Sequence, residues 1–142
     1  MPRWTKILIG LAVALLAGWL HHGPYGGGER FVNALEARAQ LRLRSAQLPG
    51  VTAAMQRDPL ARTVVLRGQA DSFQKNGLDD FPGINQRMET IPGVSNIRWN
   101  DENKRVTPLI LETLLLCALA FGIGLGLGRY LFTRRKRTSY LD

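Results

Sequence analysis

Hydrophobic and polar positions follow three rhythms along the chain, and each predicts its own kind of element. From Ile7 to Leu20, fourteen residues pass without a charge, framed by Trp4 and Trp19. From Pro108 to Phe132 the chain reads PLILETLLLCALAFGIGLGLGRYLF, with Glu112 and Arg129 its only charges. As a helix rising about 1.5 Å per residue, this second run spans roughly 37 Å, enough to cross a bilayer with some tilt. It is expected to be a transmembrane helix over 108–132. The first run is short for a span and has the length of a signal-peptide core. Two features favour a retained helix over 1–22, as a span or uncleaved signal anchor. No small-x-small cleavage pair follows it, and its two indoles stand where membrane interfaces hold tryptophan.

Between the two runs the rhythm changes twice. After Gly26, Gly27 and Gly28, expected as part of a flexible linker over 23–28, Phe31, Leu35, Ala39 and Leu43 recur every fourth residue. Val32 and Leu41 widen the stripe into an amphipathic helix that Pro49-Gly50 stops. Period two then takes over. Val51, Ala53 and Met55 alternate, as do Val64 and Leu66, and Asp58-Pro59-Leu60-Ala61 supplies the turn between two strands. Ser72 to Ile91 reads as partly helical, interrupted at Phe81 to Ile84, and Val94 to Trp99 supplies a third strand. The predicted fold class is α+β. Two helices lie on a three-stranded sheet in the order α-β-β-α-β, over residues 29–100, and a linker over 101–107 leads to the second membrane helix. Leu35, Val64, Leu66 and Val94 are the expected core.

Three short phrases punctuate this domain: Leu48-Pro49-Gly50-Val51, Phe81-Pro82-Gly83-Ile84 and Ile91-Pro92-Gly93-Val94. In each, glycine can take the left-handed conformation that ends a helix, and a β-branched residue starts the next element. Their flanks are dissimilar, so they read as recurring turn chemistry and not as a duplicated unit.

The element order, the stretch Val64 to Gly68 and Gly93-Val94 before the last strand resemble a BON (bacterial OsmY and nodulation) domain. The likeness covers roughly residues 29–100. It implies two helices packed on a three-stranded sheet in the bacterial envelope, with affinity for phospholipid or other envelope components and no catalytic residues. The Pro82-Gly83 break departs from the family's continuous second helix.

Charge refines the picture. The chain carries a net +8, divided as +2 over residues 1–20, +3 over 21–107 and +3 over 108–142. The middle domain is thus nearly neutral for its size, with no clustered basic face, which removes a nucleic-acid role. Arg134, Arg135, Lys136 and Arg137 stop the second span and fix that end on the cytoplasmic side; anionic lipids suit them as partners. Both termini are expected in the cytoplasm of a bacterium and residues 23–106 in the periplasm, the protein residing in the inner membrane. The single cysteine, Cys117, lies in the second span, so no disulfide framework holds the domain.

Candidate chemistry is sparse. The glycines at 122, 124, 126 and 128 are spaced two apart, which fits neither a P-loop nor a dinucleotide fingerprint. Asp79-Asp80 reads as a solvated pair of acids before a turn, and Ser45 and Ser72 have no histidine in the domain to serve as base. His21, His22 and Glu112 fall near one membrane interface. They suit either a metal or an interfacial ion pair, and an acid at that depth needs a partner. No cofactor is expected, nor any enzymatic activity.

The glycines make better sense on a helix. Gly122 and Gly126 lie 40° apart, as do Gly124 and Gly128, and the two pairs face nearly opposite ways. Each is a G-x-x-x-G that permits close helix approach. One pair is expected to meet Gly10, Ala14 and Gly18 of the first helix, leaving the other for a partner. The residues thus predict a non-catalytic accessory subunit of a membrane complex, with other integral membrane proteins as partners and self-association an open alternative. A membrane-tethered receptor for phospholipid or cell-wall material is the second expectation.

Overall fold

The computed structural model describes residues 2–78, 81–102 and 105–138, with side chains as far as Leu131. The protein is α+β. Helix α1 (Arg3–His22) is followed by α2 (Gly27–Ser45), β1 (Thr52–Arg57) and β2 (Leu60–Arg67). Then come α3 (Ser72–Asn76), β3 (Gly77–Leu78), β4 (Phe81–Pro82), α4 (Ile84–Glu89), β5 (Asn96–Trp99) and α5 (Leu109–Thr138). Two of these helices are long and apolar enough to span a membrane. They are α1, and α5 over Leu109–Leu131, with mean hydropathies of 1.5 and 2.2. They run antiparallel, since Gly10 faces Phe121 whereas Gly18 faces Cys117 and Leu114.

The expected flexible linker is instead a tight corner. Gly23 N–H bonds Trp19 O, Tyr25 N–H bonds Leu20 O, and Gly26 N–H bonds Gly23 O. Gly27 and Gly28 already belong to α2. A Cβ at Gly27 would stand 2.6 Å from His21 O, and one at Gly28 would stand 2.6 Å from His22 Cε1. Glycine is required here by close approach of two helices, and the corner sets the domain firmly on α1.

The buried stripe of α2 is Gly28, Val32, Leu35, Ala39 and Leu43. Phe31, expected inside, is 43% exposed, and Leu41 is 64% exposed. A spacing of strictly four residues drifts 40° per step around a helix. Steps of three and four track the true turn, and they place Val32 inward in place of Phe31.

The sheet has the order β1-β2-β5. β1 and β2 are antiparallel, with Ala53 opposite Leu66 and Met55 opposite Val64. Asp58-Pro59, joined by a cis peptide bond, forms the connection between them. An irregularity between Met55 and Arg57 leaves Arg57 beside α2, where it meets Glu36 Oε2 at 2.6 Å and Asn33 Oδ1 at 2.7 Å. β5 runs parallel to β2, with Ile97 beside Val64 and Trp99 beside Leu66. Parallel neighbours need a crossover. It comes from α3, the small β3–β4 hairpin and α4, so the second helix is two short pieces divided at the Pro82-Gly83 break.

The core joins α2 to Ala53, Met55, Val64, Leu66, Ile97 and Trp99 of the sheet and to Ile84, Met88 and Ile91. Leu35, Val64 and Leu66 lie in it as expected. Val94 is only partly buried at its margin. Leu109, the first residue of α5, is also buried in this core, so the domain's packing extends into this membrane-length helix. Of the three Pro-Gly phrases, Gly50 and Gly93 take positive φ, at 85° and 101°. Gly83 is extended, with φ −70° and ψ 174°.

Candidate helix-docking interface

The two long helices are fitted by size. On α1 the shielded residues include Ile7, Gly10, Leu11, Ala14, Leu15 and Gly18; on α5 they include Leu114, Cys117, Ala118 and Phe121, with Gly128 half-buried further along. This small row accepts larger partners. A Cβ at Gly10 would lie 2.9 Å from the Phe121 ring, and one at Gly18 would lie 2.7 Å from Cys117 Sγ. Gly10 and Gly18 therefore line the contact between the helices.

The glycine ladder does not. Among the described residues, and apart from the backbone of α5 itself and immediate chain neighbours, no atom lies within 4 Å of where a Cβ would stand on Gly122, Gly124, Gly126 or Gly128. The expected meeting of one glycine pair with the α1 row is corrected: Phe121, Cys117 and Leu114 occupy that place. The small row of α1 is filled instead by a ring and a sulfur, which make dispersion contacts in its groove. α1 has 20 residues and α5 has 30. With Gly10 opposite Phe121, the ladder lies level with the first two turns of α1 and is turned away from them. Ile123, Leu125 and Leu127 between the glycines are exposed.

At the other end of α5, Glu112 has the partner its depth demanded. Its Oε2 lies 2.7 Å from Arg62 Nε of β2, both side chains about three-quarters shielded or somewhat less. Nε has no directed hydrogen bond, so the pair is a charge contact; Arg62 Nη1 also reaches Gly93 O at 3.4 Å. Arg62 escaped the sequence reading. The available signal was an arginine on the inward side of a strand otherwise reading Leu60, Val64, Leu66. His21 and His22 pack against Gly27 and Gly28, in a hollow shared with Phe31, Leu109 and Thr113. Among the described residues no group of three His, Cys, Asp or Glu is placed to hold a metal ion.

Trp4 and Trp19 are exposed on α1, fifteen residues or about 22 Å apart along it. Arg134, Arg135, Lys136 and Arg137 continue the helical backbone of α5, with side chains outside the described residues. Asp79 and Asp80 also lie outside the described residues. Comparison with protein-family models, with curated proteins and with solved structures finds no match for this chain.

Proposed function

We propose that the protein is a non-catalytic accessory subunit of a bacterial inner-membrane complex, holding its partner through α5 and presenting a BON-like α+β domain on the periplasmic side. One observation carries the reading. Among the described residues, no atom beyond the backbone of α5 and immediate chain neighbours stands where a side chain would grow from any of the four ladder glycines, on a membrane-length helix. Glycine exposes backbone and lowers helix propensity by about 1 kcal/mol per residue relative to alanine in water. Four in seven positions are a poor choice for a helix meeting only lipid. They are well suited to a partner helix approaching backbone to backbone.

Both ladder faces are open, so the partner has two grooves available, and neither is used by α1. Rigid seating of the domain on α1 and α5, through the glycine corner, Leu109 and the Arg62–Glu112 pair, fixes what the subunit presents above the bilayer. The test is affinity purification of the tagged full chain in mild detergent, with mass spectrometry. We expect integral membrane proteins to co-purify with the wild type. Gly126→Leu and Gly128→Leu should lose them at unchanged membrane abundance. Wild-type chain that migrates alone on a native gel would refute lateral docking and leave the tethered-receptor alternative.

A further inference from the structure

The surface that α1 and α5 turn outward is apolar over a limited height, and both helices set the same limit. On α1 the uncharged stretch is Ile7 to Leu20, fourteen residues or about 21 Å of helix. On α5, Glu112 and Arg129 enclose sixteen uncharged residues, about 24 Å. Packing brings these stretches level, because Gly10 stands against the Phe121 ring. In this antiparallel pair, seven residues from Gly10 toward the N-terminus reach Arg3, and seven from Phe121 toward the C-terminus reach Gly128, beside Arg129. Ten residues the other way reach Leu20 on α1 and Leu111 on α5, beside Glu112. One slab therefore serves both helices. Glu112 and His21 close it on the domain side, Arg3 and Arg129 close it on the other, and Lys6 stands about one turn inside.

Neither boundary can slide far. On the domain side Glu112 lies 2.7 Å from Arg62, and Leu109, one turn earlier, is packed in the domain core. Drawing Glu112 into hydrocarbon would break that pair or pull the domain in after it. On the other side α5 continues with exposed Tyr130 and Leu131. α1 ends before that level, so immersing them would draw Arg3 and Lys6 inward, and a cation in hydrocarbon is expensive. Snorkelling of these long side chains adds only part of a turn to the apolar height. Tilt acts the other way, since a tilted pair spans less. Trp4 and Trp19, 76% and 48% exposed, stand about 22 Å apart along α1, the spacing of two interfaces around a slab of this height.

The hydrocarbon layer of a typical bilayer is about 30 Å thick. We infer that the outer surface of the helix pair fits lipid whose hydrocarbon layer is only about 21–24 Å thick, so that the protein gathers short-chain lipid and thins a thicker bilayer around itself. The inference rests on the reading that α1 and α5 span one membrane, but not on the glycine ladder. It adds a driving force to lateral assembly, because proteins that share one thinned shell disturb less lipid than proteins that each carry their own.

The test uses the purified full-length chain in phosphatidylcholine vesicles whose monounsaturated chains have fourteen, eighteen or twenty-two carbons. Each lipid is mixed with an equal amount of dibrominated eighteen-carbon lipid, which quenches tryptophan on contact. Trp4 and Trp19 report from α1, and Trp99, buried in the domain core, gives a constant background. Lipid that fits displaces the brominated probe and restores emission. We expect fourteen-carbon lipid to compete roughly threefold better than twenty-two-carbon lipid, with eighteen-carbon lipid between them. Equal competition at all lengths, or an optimum at eighteen carbons or more, would overturn the proposal. Arg3→Leu, Lys6→Leu and Arg129→Leu together lengthen the apolar height at exposed positions, and should move the optimum to eighteen carbons. An optimum that stays at fourteen would show that these charges set no boundary, and the inference would fall. Quenching without length dependence removes this inference alone. No quenching in any mixture removes the membrane reading itself, and this inference with it.

Discussion

Single glycines act in two ways in this protein, and the difference is measurable. Gly18 is buried, with no room for a side chain beside Cys117, so Gly18→Leu must push α1 and α5 apart. We expect lowered membrane abundance and faster proteolysis, whereas Gly126→Leu should be as abundant as wild type. Equal abundance of both variants in a quantitative immunoblot would contradict the packing described for α1. The Arg62–Glu112 contact is the other decisive pair of residues. Partly shielded on both sides, it should couple more strongly than the surface pairs that contribute about 0.2–1 kcal/mol. A double-mutant cycle with Arg62→Met and Glu112→Gln, read by thermal unfolding in detergent, should give about 1–3 kcal/mol of coupling. Additive effects would show that the two charges are only neighbours. The sequence made the need for this pair visible, since Glu112 sits in an apolar run. It gave no local hint of Arg62, because the two are fifty residues apart and only the sheet brings them together.

At the level of elements, alternation of apolar residues revealed both hairpin strands and the inward side of Val64 and Leu66. It could not reveal that β5 joins β2 in parallel, because orientation depends on how the crossover folds, and that crossover is broken into two short helices. Nor could period four settle the rotation of α2: a 40° drift per step decides between Phe31 and Val32, and only packing against Ala53 and Met55 resolves it. Leu66, fully buried near the end of the central strand β2, should cost about 2–5 kcal/mol when changed to alanine, measured by denaturant unfolding in the whole chain. Leu109 offers a sharper test. Its burial links the domain core to α5, so the isolated segment 29–100 lacks part of its own core. Extending that segment to 27–113 should raise its unfolding free energy by about 1.5–3 kcal/mol, the value of burying one leucine. Identical stability of the two segments would place Leu109 outside the cooperative unit.

For the whole molecule, the apolar runs made the two membrane-length helices legible from hydropathy alone, since length and apolar composition are what define them. How the domain sits on them was not legible. The glycines at 26–28, read as slack, instead form a corner in which two helices touch, and this changes how orientation should be probed. An insertion at Gly27 or Gly28 would wreck the corner, whereas single cysteines at exposed positions would not. Basic charge is in excess at both ends of the chain, +2 before residue 21 and +3 from 108 onward. Under the proposed function the ends that gather arginine and lysine stay in the cytoplasm, because two antiparallel membrane-length helices would return the chain to its starting side. With Cys117→Ser as background, Tyr25→Cys and Arg105→Cys should react with a membrane-impermeant maleimide in intact spheroplasts, because both side chains are exposed on the domain side of the helices. Ser139→Cys should react only after permeabilisation. Labelling of Ser139→Cys in intact spheroplasts, with Tyr25→Cys protected, would invert the topology. The domain would then face the cytoplasm.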